Sequence, residues 1–379
     1  MKFLRRCGIV LSYVFLVASS LSAANLWVPR FHLTTRGYGD DGAFVLTTRA
    51  DIDLQIEGGL KFGGRLAFSF SNPDITRSAV IPETYDSDAI ENAFARTISI
   101  KSAGVIARNV FGLPIDFSYY TGETAVFGSG DDFPLLFGTT EFATTFRGVY
   151  YFPDDPVYDG IHAVSGTGFG LGYTPADAFG IELFVYQDEV LGTGTYSADL
   201  RVLYASELVK LEGFLGSTFP SGPHGTYRAG LMMYYDTGAG GEFFSQLGVT
   251  HWTPVQEELT IDNFFLLFEP RVRLGPVHTI LTFFWHPSIY RQIPTGNDGA
   301  IDINLKFQYT ELGTFTSVFG VENLFALRPS HTTQFAVSIA PFLSVATTGA
   351  IWDFKLKTRV FPFDLAGMFE GIIGVRTAF

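Results

Sequence analysis

Apolar and polar residues alternate with a period of two along much of this chain. Between residues 46 and 56, Ile52 and Leu54 share one face of an extended segment, whereas Arg49 and Asp51 share the other. Successive side chains of a β-strand point to opposite sides, so this period indicates a strand with two chemically different faces.

The same pattern returns after short turns. The turn Glu57-Gly58-Gly59 leads into a segment with Phe62 and Phe68 on one face, and similar alternation occupies residues 301–309 and 352–360. The segments are about ten residues long, and no change of composition marks a second domain. The sequence therefore predicts an all-β fold, a closed antiparallel transmembrane β-barrel formed by residues 25–379. Leu54, Phe62, Phe68, Leu305, Phe307 and Leu356 are expected to face outward.

The first 24 residues have the features of a secretory signal peptide. Lys2, Arg5 and Arg6 precede an apolar stretch, and Ser22-Ala23-Ala24 offers a cleavage site. We expect cleavage to remove Cys7, the single cysteine, together with the signal. The remaining chain would hold 22 basic and 38 acidic residues, a balance that argues against nucleic-acid binding.

Composition favours a membrane barrel over a soluble β-sandwich. The mean hydropathy is +0.22 and aromatic residues make up 16% of the chain. The longest apolar runs after the signal, such as residues 264–268, are far shorter than the roughly 20 residues of a spanning helix. Aromatic residues, singly and in runs of two or three, occur near predicted strand ends, where interfacial girdles lie in membrane barrels; they include Tyr150-Tyr151-Phe152, Tyr234-Tyr235, Trp252, Phe283-Phe284-Trp285, Phe325 and Phe361.

The last residues add a second indication. Phe369, Ile373, Val375 and Phe379 alternate in a terminal strand that ends on phenylalanine. This end resembles the C-terminal signature of bacterial outer-membrane β-barrel (porin-like) proteins, although Thr377 stands where many of them carry an aromatic residue. The resemblance implies an outer-membrane location, outer-membrane lipid as the surroundings, and Phe379 as a signal for the barrel-assembly machinery.

Loop lengths predict the topology. Short connections at residues 174–177, 206–207, 275–276, 310–313 and 346–349, and after Tyr235, are expected at the periplasmic end, whereas residues 219–225, 252–259 and 286–299 are expected outside. The count gives 16–18 strands, within a range of 14–20. Residues 103–140 fit the count poorly and are left open as an in-folded loop or plug.

The polar faces of the clearest strands are rich in charge. We take the following as candidate pore-lining residues: Arg49, Asp51, Asp53, Lys61, Arg65, Glu269, Arg271, Arg273, Asp302, Lys306, Asp353, Lys355, Lys357 and Arg359. Nine are basic and five acidic, leaving 13 basic and 33 acidic residues elsewhere after the signal. Cross-strand ion pairs that fill the barrel would explain the same residues, but a barrel of this size is too wide for side chains to fill.

Enzymatic chemistry finds little support. The seven histidines are scattered without metal-ligand spacing, so we expect neither a metal nor a cofactor and no catalytic residues. Gly166, Gly168, Gly170 and Gly172 lack the helix of a dinucleotide motif and indicate a strand with one glycine face.

The leading hypothesis is a porin-like channel for passive diffusion of small hydrophilic solutes. The alternatives are a transporter for hydrophobic ligands, similar to the fatty-acid transporters of outer membranes, and a surface adhesin or structural barrel.

Overall fold

Eighteen antiparallel strands form one closed barrel. In the computed structural model, the described residues are 25–40, 43–72, 99–146, 158, 160–190, 194–219, 225–254, 258–291, 293–297, 299–310, 317–329, 334–365 and 367–377. The barrel strands are β1 Asn25–Asp40, β2 Ala43–Gly58, β3 Phe62–Asn72, β4 Ser99–Ala107, β5 Ile115–Phe127, β6 His162–Ala176, β7 Phe179–Asp188, β8 Tyr196–Ala205, β9 Val209–Phe219, β10 Thr226–Asp236, β11 Gly241–Trp252, β12 Phe264–Leu274, β13 Val277–Trp285, β16 Ile301–Tyr309, β17 Ser317–Leu327, β18 Phe335–Thr347, β19 Ala350–Phe361 and β20 Phe369–Thr377.

The barrel closes between its first and last strands. β1 pairs with β2 along one edge and with β20 along the other, with Leu33 opposite Val375. Every other barrel strand pairs with its sequence neighbours, which leaves no open edge. The predicted closed all-β barrel is confirmed, and its 18 strands equal the upper limit of the predicted 16–18.

Connections at the two ends of the barrel differ in length. One end, which we name the short-loop end, holds the start of β1, the end of β20 and turns such as Gly275-Pro276. The opposite long-loop end holds the connections at residues 128–161 and 286–300. The turns predicted to share one end do so, and the three connections predicted opposite them lie at the other end.

Strand register separates the two faces of the wall. Asp53 lies opposite Ser69, and Leu54 lies opposite Phe68, so charged and apolar residues keep to separate faces across strand pairs. On β2, β8, β12, β16 and β19, every described Asp, Glu, Lys and Arg falls on the inward face. Leu54, Phe62, Phe68, Leu305, Phe307 and Leu356 fall on the outward face, as predicted.

Little other regular structure is present in the described part of the chain. A short helix α1, Asp132–Phe137, lies in the connection between β5 and β6. A two-stranded sheet, β14 Ile289–Tyr290 and β15 Ile293–Pro294, lies in the connection between β13 and β16. Among the described residues, no helix has the length and apolar character to cross a membrane.

Candidate functional site: a divided lumen

The connection between β5 and β6 folds back into the barrel. We name residues 128–161 the inner loop; the structure describes it at residues 128–146, 158, 160 and 161. Gln246 on β11 donates a hydrogen bond of 2.5 Å to the carbonyl of Gly128, and Arg201 on β8 donates one of 2.6 Å to Asp132. Because these strand residues face inward, the inner loop lies against the lumenal surface of the wall.

Glu269 on β12 anchors the middle of the inner loop. Its carboxylate accepts hydrogen bonds from the hydroxyl of Thr144 at 2.8 Å and the backbone N–H of Thr145 at 3.0 Å. Thr282 on β13 donates another at 2.8 Å, and Arg271 bonds both this carboxylate and the carbonyl of Ala143. Hydrogen bonds to an ionised carboxylate are stronger than those between neutral groups. The several donors to Glu269 therefore fix the middle of the inner loop to the wall.

Aromatic side chains fill the space between the inner loop and the wall. Phe142 stacks on Tyr234 of β10 with ring centroids 4.8 Å apart, and Tyr158 meets Phe284 of β13 edge-on at 4.8 Å. The buried cluster comprises Tyr120, Phe127, Phe133, Phe142, Phe146, Tyr158, Ile161, Val164, Phe184, Tyr186, Leu203, Ala205, Phe214, Met232, Tyr234, Phe244, Phe265, Leu267, Phe284 and Tyr290. It is an apolar core inside the barrel, on the face that elsewhere carries charge. We name β5–β13 the covered wall and β16–β20 with β1–β4 the open wall.

The connection between β13 and β16 closes the covered half at the long-loop end. Tyr290 is buried there and donates a hydrogen bond of 3.0 Å to the carbonyl of Gly160. His286 contacts Asp302 at 2.6 Å and the hydroxyl of Tyr158 at 3.2 Å. These contacts hold this connection over the inner loop.

The Arg228–Asp199 ion pair on the covered wall is removed from water. Arg228 on β10 binds Asp199 on β8 through two hydrogen bonds of 2.6 and 2.8 Å, and both side chains are at most 1% exposed. Tyr186 donates a hydrogen bond of 2.7 Å to the same carboxylate. The pair crosses above Gly216, where a Cβ would lie 1.7 Å from an Asp199 oxygen, so only glycine leaves room for it. A buried carboxylate needs such partners because an unpaired charge is costly away from water.

Ion pairs on the open wall face the free part of the lumen. Arg49 binds Asp51 at 2.7 Å, Arg36 binds Glu370 at 2.7 Å, and Arg376 binds Asp353 at 2.8 Å. Further pairs are Lys101–Asp53, Lys306–Glu322, Lys355–Glu322 and Lys357–Glu370. Most of these bases are partly exposed, as hydrated charges require, whereas Lys355 and Glu322 are buried against each other.

The two walls differ in which partner of an ion pair, the base or the acid, is more exposed. In each of these open-wall pairs the base is more exposed than the acid; for example, Arg49 is 28% and Asp51 14% exposed, and Arg376 is 48% and Asp353 10% exposed. On the covered wall Arg201 is 2% exposed, while its partner Asp132 on the inner loop is 35% exposed. Asp131 and Glu141 of the inner loop are also exposed, and residues 128–146 contain no Lys or Arg. Bases therefore reach into the lumen from the open wall, and acids reach into it from the inner loop.

The candidate pore-lining residues fall into three groups. Arg49, Asp51, Asp53, Arg65, Lys306, Asp353, Lys355, Lys357 and Arg359 lie on the inward face of the open wall, with Asp53, Asp353 and Lys355 largely enclosed by their partners. Lys61, in the turn before β3, and Arg273, near the end of β12, are exposed toward the short-loop end. Glu269, Arg271 and Asp302 face inward and are buried: the inner loop covers the first two, and Asp302 lies against His286 and Arg328.

Several other expectations need adjustment. Residues 103–140, left open as an in-folded loop or plug, belong partly to the wall, because β4 and β5 take residues up to 127. The aromatic clusters straddle both faces: Tyr235 points outward, whereas Tyr234 and Phe284 are buried inside. Tyr150, Tyr151, Phe152, Phe379 and the first 24 residues lie outside the described part of the chain.

The glycine face of β6 points inward, and an aromatic side chain fills the space above it. A Cβ on Gly168 would lie 2.4 Å from the Cβ of Tyr186 on the neighbouring strand. Tyr186 can therefore lie flat on β6 within the apolar core, which is the close packing expected of a one-sided glycine strand.

Comparison with known proteins supports the fold. No family model and no curated protein matches this sequence. Two solved structures, both triple mutants of the Rh. blastica porin, cover 94% of this chain and 100% of their own at 10% sequence identity, with TM-scores of 0.51 and 0.50. At this identity the similarity shows a porin-type barrel fold and nothing finer.

Proposed function

We propose that this protein is an outer-membrane channel through which small hydrophilic solutes diffuse passively. The observation that carries the proposal is the divided lumen, with one half filled by an apolar core and the other lined by partly exposed ion pairs. Charged side chains keep their solvation only beside water or partners, so the open half is suited to a hydrated path. The described part of the inner loop narrows this path, and Leu324 on β17 packs against the apolar core from the open wall.

The outward face supports a membrane location. Large apolar side chains are exposed around the barrel, among them Leu171, Leu215, Phe307 and Leu356. Exposed apolar area of this extent is unusual on a soluble monomer and is what lipid would cover. We further propose export by the N-terminal signal and assembly through Phe379, which rest on the sequence features alone.

The charge order of the lumen supports a modest preference for anions. Exposed bases on the open wall raise the local concentration of anions, while Asp131 and Glu141 on the inner loop act in the opposite direction. The apolar core gives less support to a transporter for hydrophobic ligands, because its side chains are buried against one another.

Planar-bilayer recording tests the channel. The purified full-length protein should give stepwise, ohmic conductance. In a salt gradient, its reversal potential should have the sign expected when anions are more permeant than cations. The same preparation unfolded before addition is the control. Protein that inserts and is folded but gives no conductance steps would contradict the proposal.

A further inference from the structure

Two turns at the short-loop end are joined into one unit. They are residues 59–61, before β3, and residues 108–114, between β4 and β5; we name them the paired turns. The N–H of Arg108 donates to the carbonyl of Lys61 at 2.8 Å, and its guanidinium donates to the carbonyls of Gly59 at 3.1 Å and Leu60 at 3.3 Å. Arg108 also binds Glu57. The two turns therefore keep a fixed relative position.

The paired turns carry the two most exposed large apolar side chains among the described residues. Phe111 is 95% and Leu60 87% exposed, and Leu113 is also exposed. Two other turns at this end, Gly275-Pro276 and residues 237–240, are made of small or polar residues, and Leu208 in the turn between β8 and β9 is only 43% exposed. Large apolar side chains at turn tips are unfavourable in water, because water is their only contact there.

The backbone keeps Phe111 in this position. Its φ is +57°, in the left-handed region that side chains with a Cβ rarely adopt. The N–H of Gly112 donates to Asn109 at 3.0 Å, the N–H of Leu113 to Val110 at 3.1 Å, and the N–H of Asn109 to the carboxylate of Asp116 at 3.0 Å. Such a conformation persists where the surrounding structure enforces it, and it often marks a functional position.

Two of these exposed side chains continue the outward face of the barrel. Leu60 follows the alternation of Phe62 on β3, and Leu113 that of Ile115 and Phe117 on β5. Lys61, between Leu60 and Phe62, falls on the opposite, inward face in this alternation and is exposed at the rim of the barrel. Aromatic side chains are enriched at the boundary between acyl chains and headgroups.

We propose that the paired turns insert into the interfacial layer of the leaflet at the short-loop end. Phe111, Leu60 and Leu113 contact the upper acyl chains of that leaflet. The occupant of this surface is lipid, because the surface is continuous with the outward apolar belt. The inference rests on the proposed membrane location of the barrel.

Spin-label depth measurements test the proposal. The full chain with Cys7→Ser and Phe111→Cys is labelled and inserted into phosphatidylcholine–phosphatidylglycerol vesicles, and the accessibilities of the label to oxygen and to a water-soluble nickel chelate are compared. Labels at Val105→Cys, on the outward face of β4, and at Ala239→Cys, in the turn between β10 and β11, give the lipid and water references. Leu113→Cys is a second test site, so a defect limited to position 111 does not decide the result.

We expect labels at 111 and 113 to be accessible to oxygen and protected from nickel, between the two references. A label at both sites as accessible to nickel as the one at 239, while that at 105 reports lipid, would overturn the inference and leave the membrane location standing. A label at 105 that also reports water would overturn both.

Discussion

The two halves of the barrel wall use the same kinds of residues for different purposes. On the covered wall, Arg228 and Asp199 are enclosed by aromatic rings and by Tyr186. On the open wall, Arg49 and Asp51 form a pair of similar length that remains partly exposed. The difference lies in the environment of the pair, which the inner loop creates.

This comparison separates structural charges from functional ones. A buried ion pair has lost its hydration, so each partner depends on the other. An exposed pair keeps much of its hydration, and its partners still act on ions that pass. We therefore expect substitutions on the covered wall to change stability and substitutions on the open wall to change conduction.

The largest expected effect is the loss of a buried base. Arg228→Met leaves Asp199 buried without its main partner, and we expect the free energy of unfolding to fall by about 3–5 kcal/mol. Arg49→Met is the matched control on the open wall, where loss of an exposed pair should cost about 0–1 kcal/mol. Urea titration of the detergent-refolded barrel, followed by tryptophan emission, measures both changes. Equal losses of unfolding free energy in the two variants would contradict the proposed difference between buried pairs on the covered wall and exposed pairs on the open wall.

A smaller effect is expected on ion preference. Replacing Lys355, Lys357 and Arg359 with glutamine should move the reversal potential in a salt gradient toward cations. Most of the change should come from Lys357 and Arg359, because Lys355 is largely enclosed by Glu322. The change should be clearest at low salt, since screening limits the field to about 10 Å at 0.1 M.

Substitutions in the inner loop should shift the reversal potential in the opposite direction and so serve as a control. Asp131→Asn with Glu141→Gln removes exposed acids across the lumen, so the reversal potential should move toward anions. A conducting triple variant with an unchanged reversal potential would contradict the charge order proposed for the lumen, as would a shift of the loop variant toward cations.

The barrel itself could be predicted from the sequence because its pattern is local. The alternation of Ile52 and Leu54 with Arg49, Asp51 and Asp53 depends only on strand geometry, and loop lengths settle which turns share an end. Closure and strand number follow once nearly every segment is identified.

The covering of one wall could not be predicted from that alternation, because it depends on contacts between residues far apart in sequence. Glu269 meets Thr144 and Thr145 about 125 positions away, so its burial is not visible from β12 alone. The sequence does carry one indication of this covering: Phe184, Phe214, Phe244 and Phe284 occupy inward positions on β7, β9, β11 and β13. Aromatic residues on a face expected to line water indicate that another part of the chain covers it.

The central claim, that the inner loop divides the lumen, is tested most directly by reaction of cysteines from the aqueous phase. Ser69 on β3 and Ser197 on β8 both face inward, but Ser69 is partly exposed, whereas Ser197 is buried against Asp188 and Thr218. With Cys7→Ser, a charged thiosulfonate should modify Ser69→Cys in the folded protein and change its conductance. Ser197→Cys should stay unmodified until the barrel is unfolded. Modification of both cysteines at the same rate in the folded protein would contradict a divided lumen.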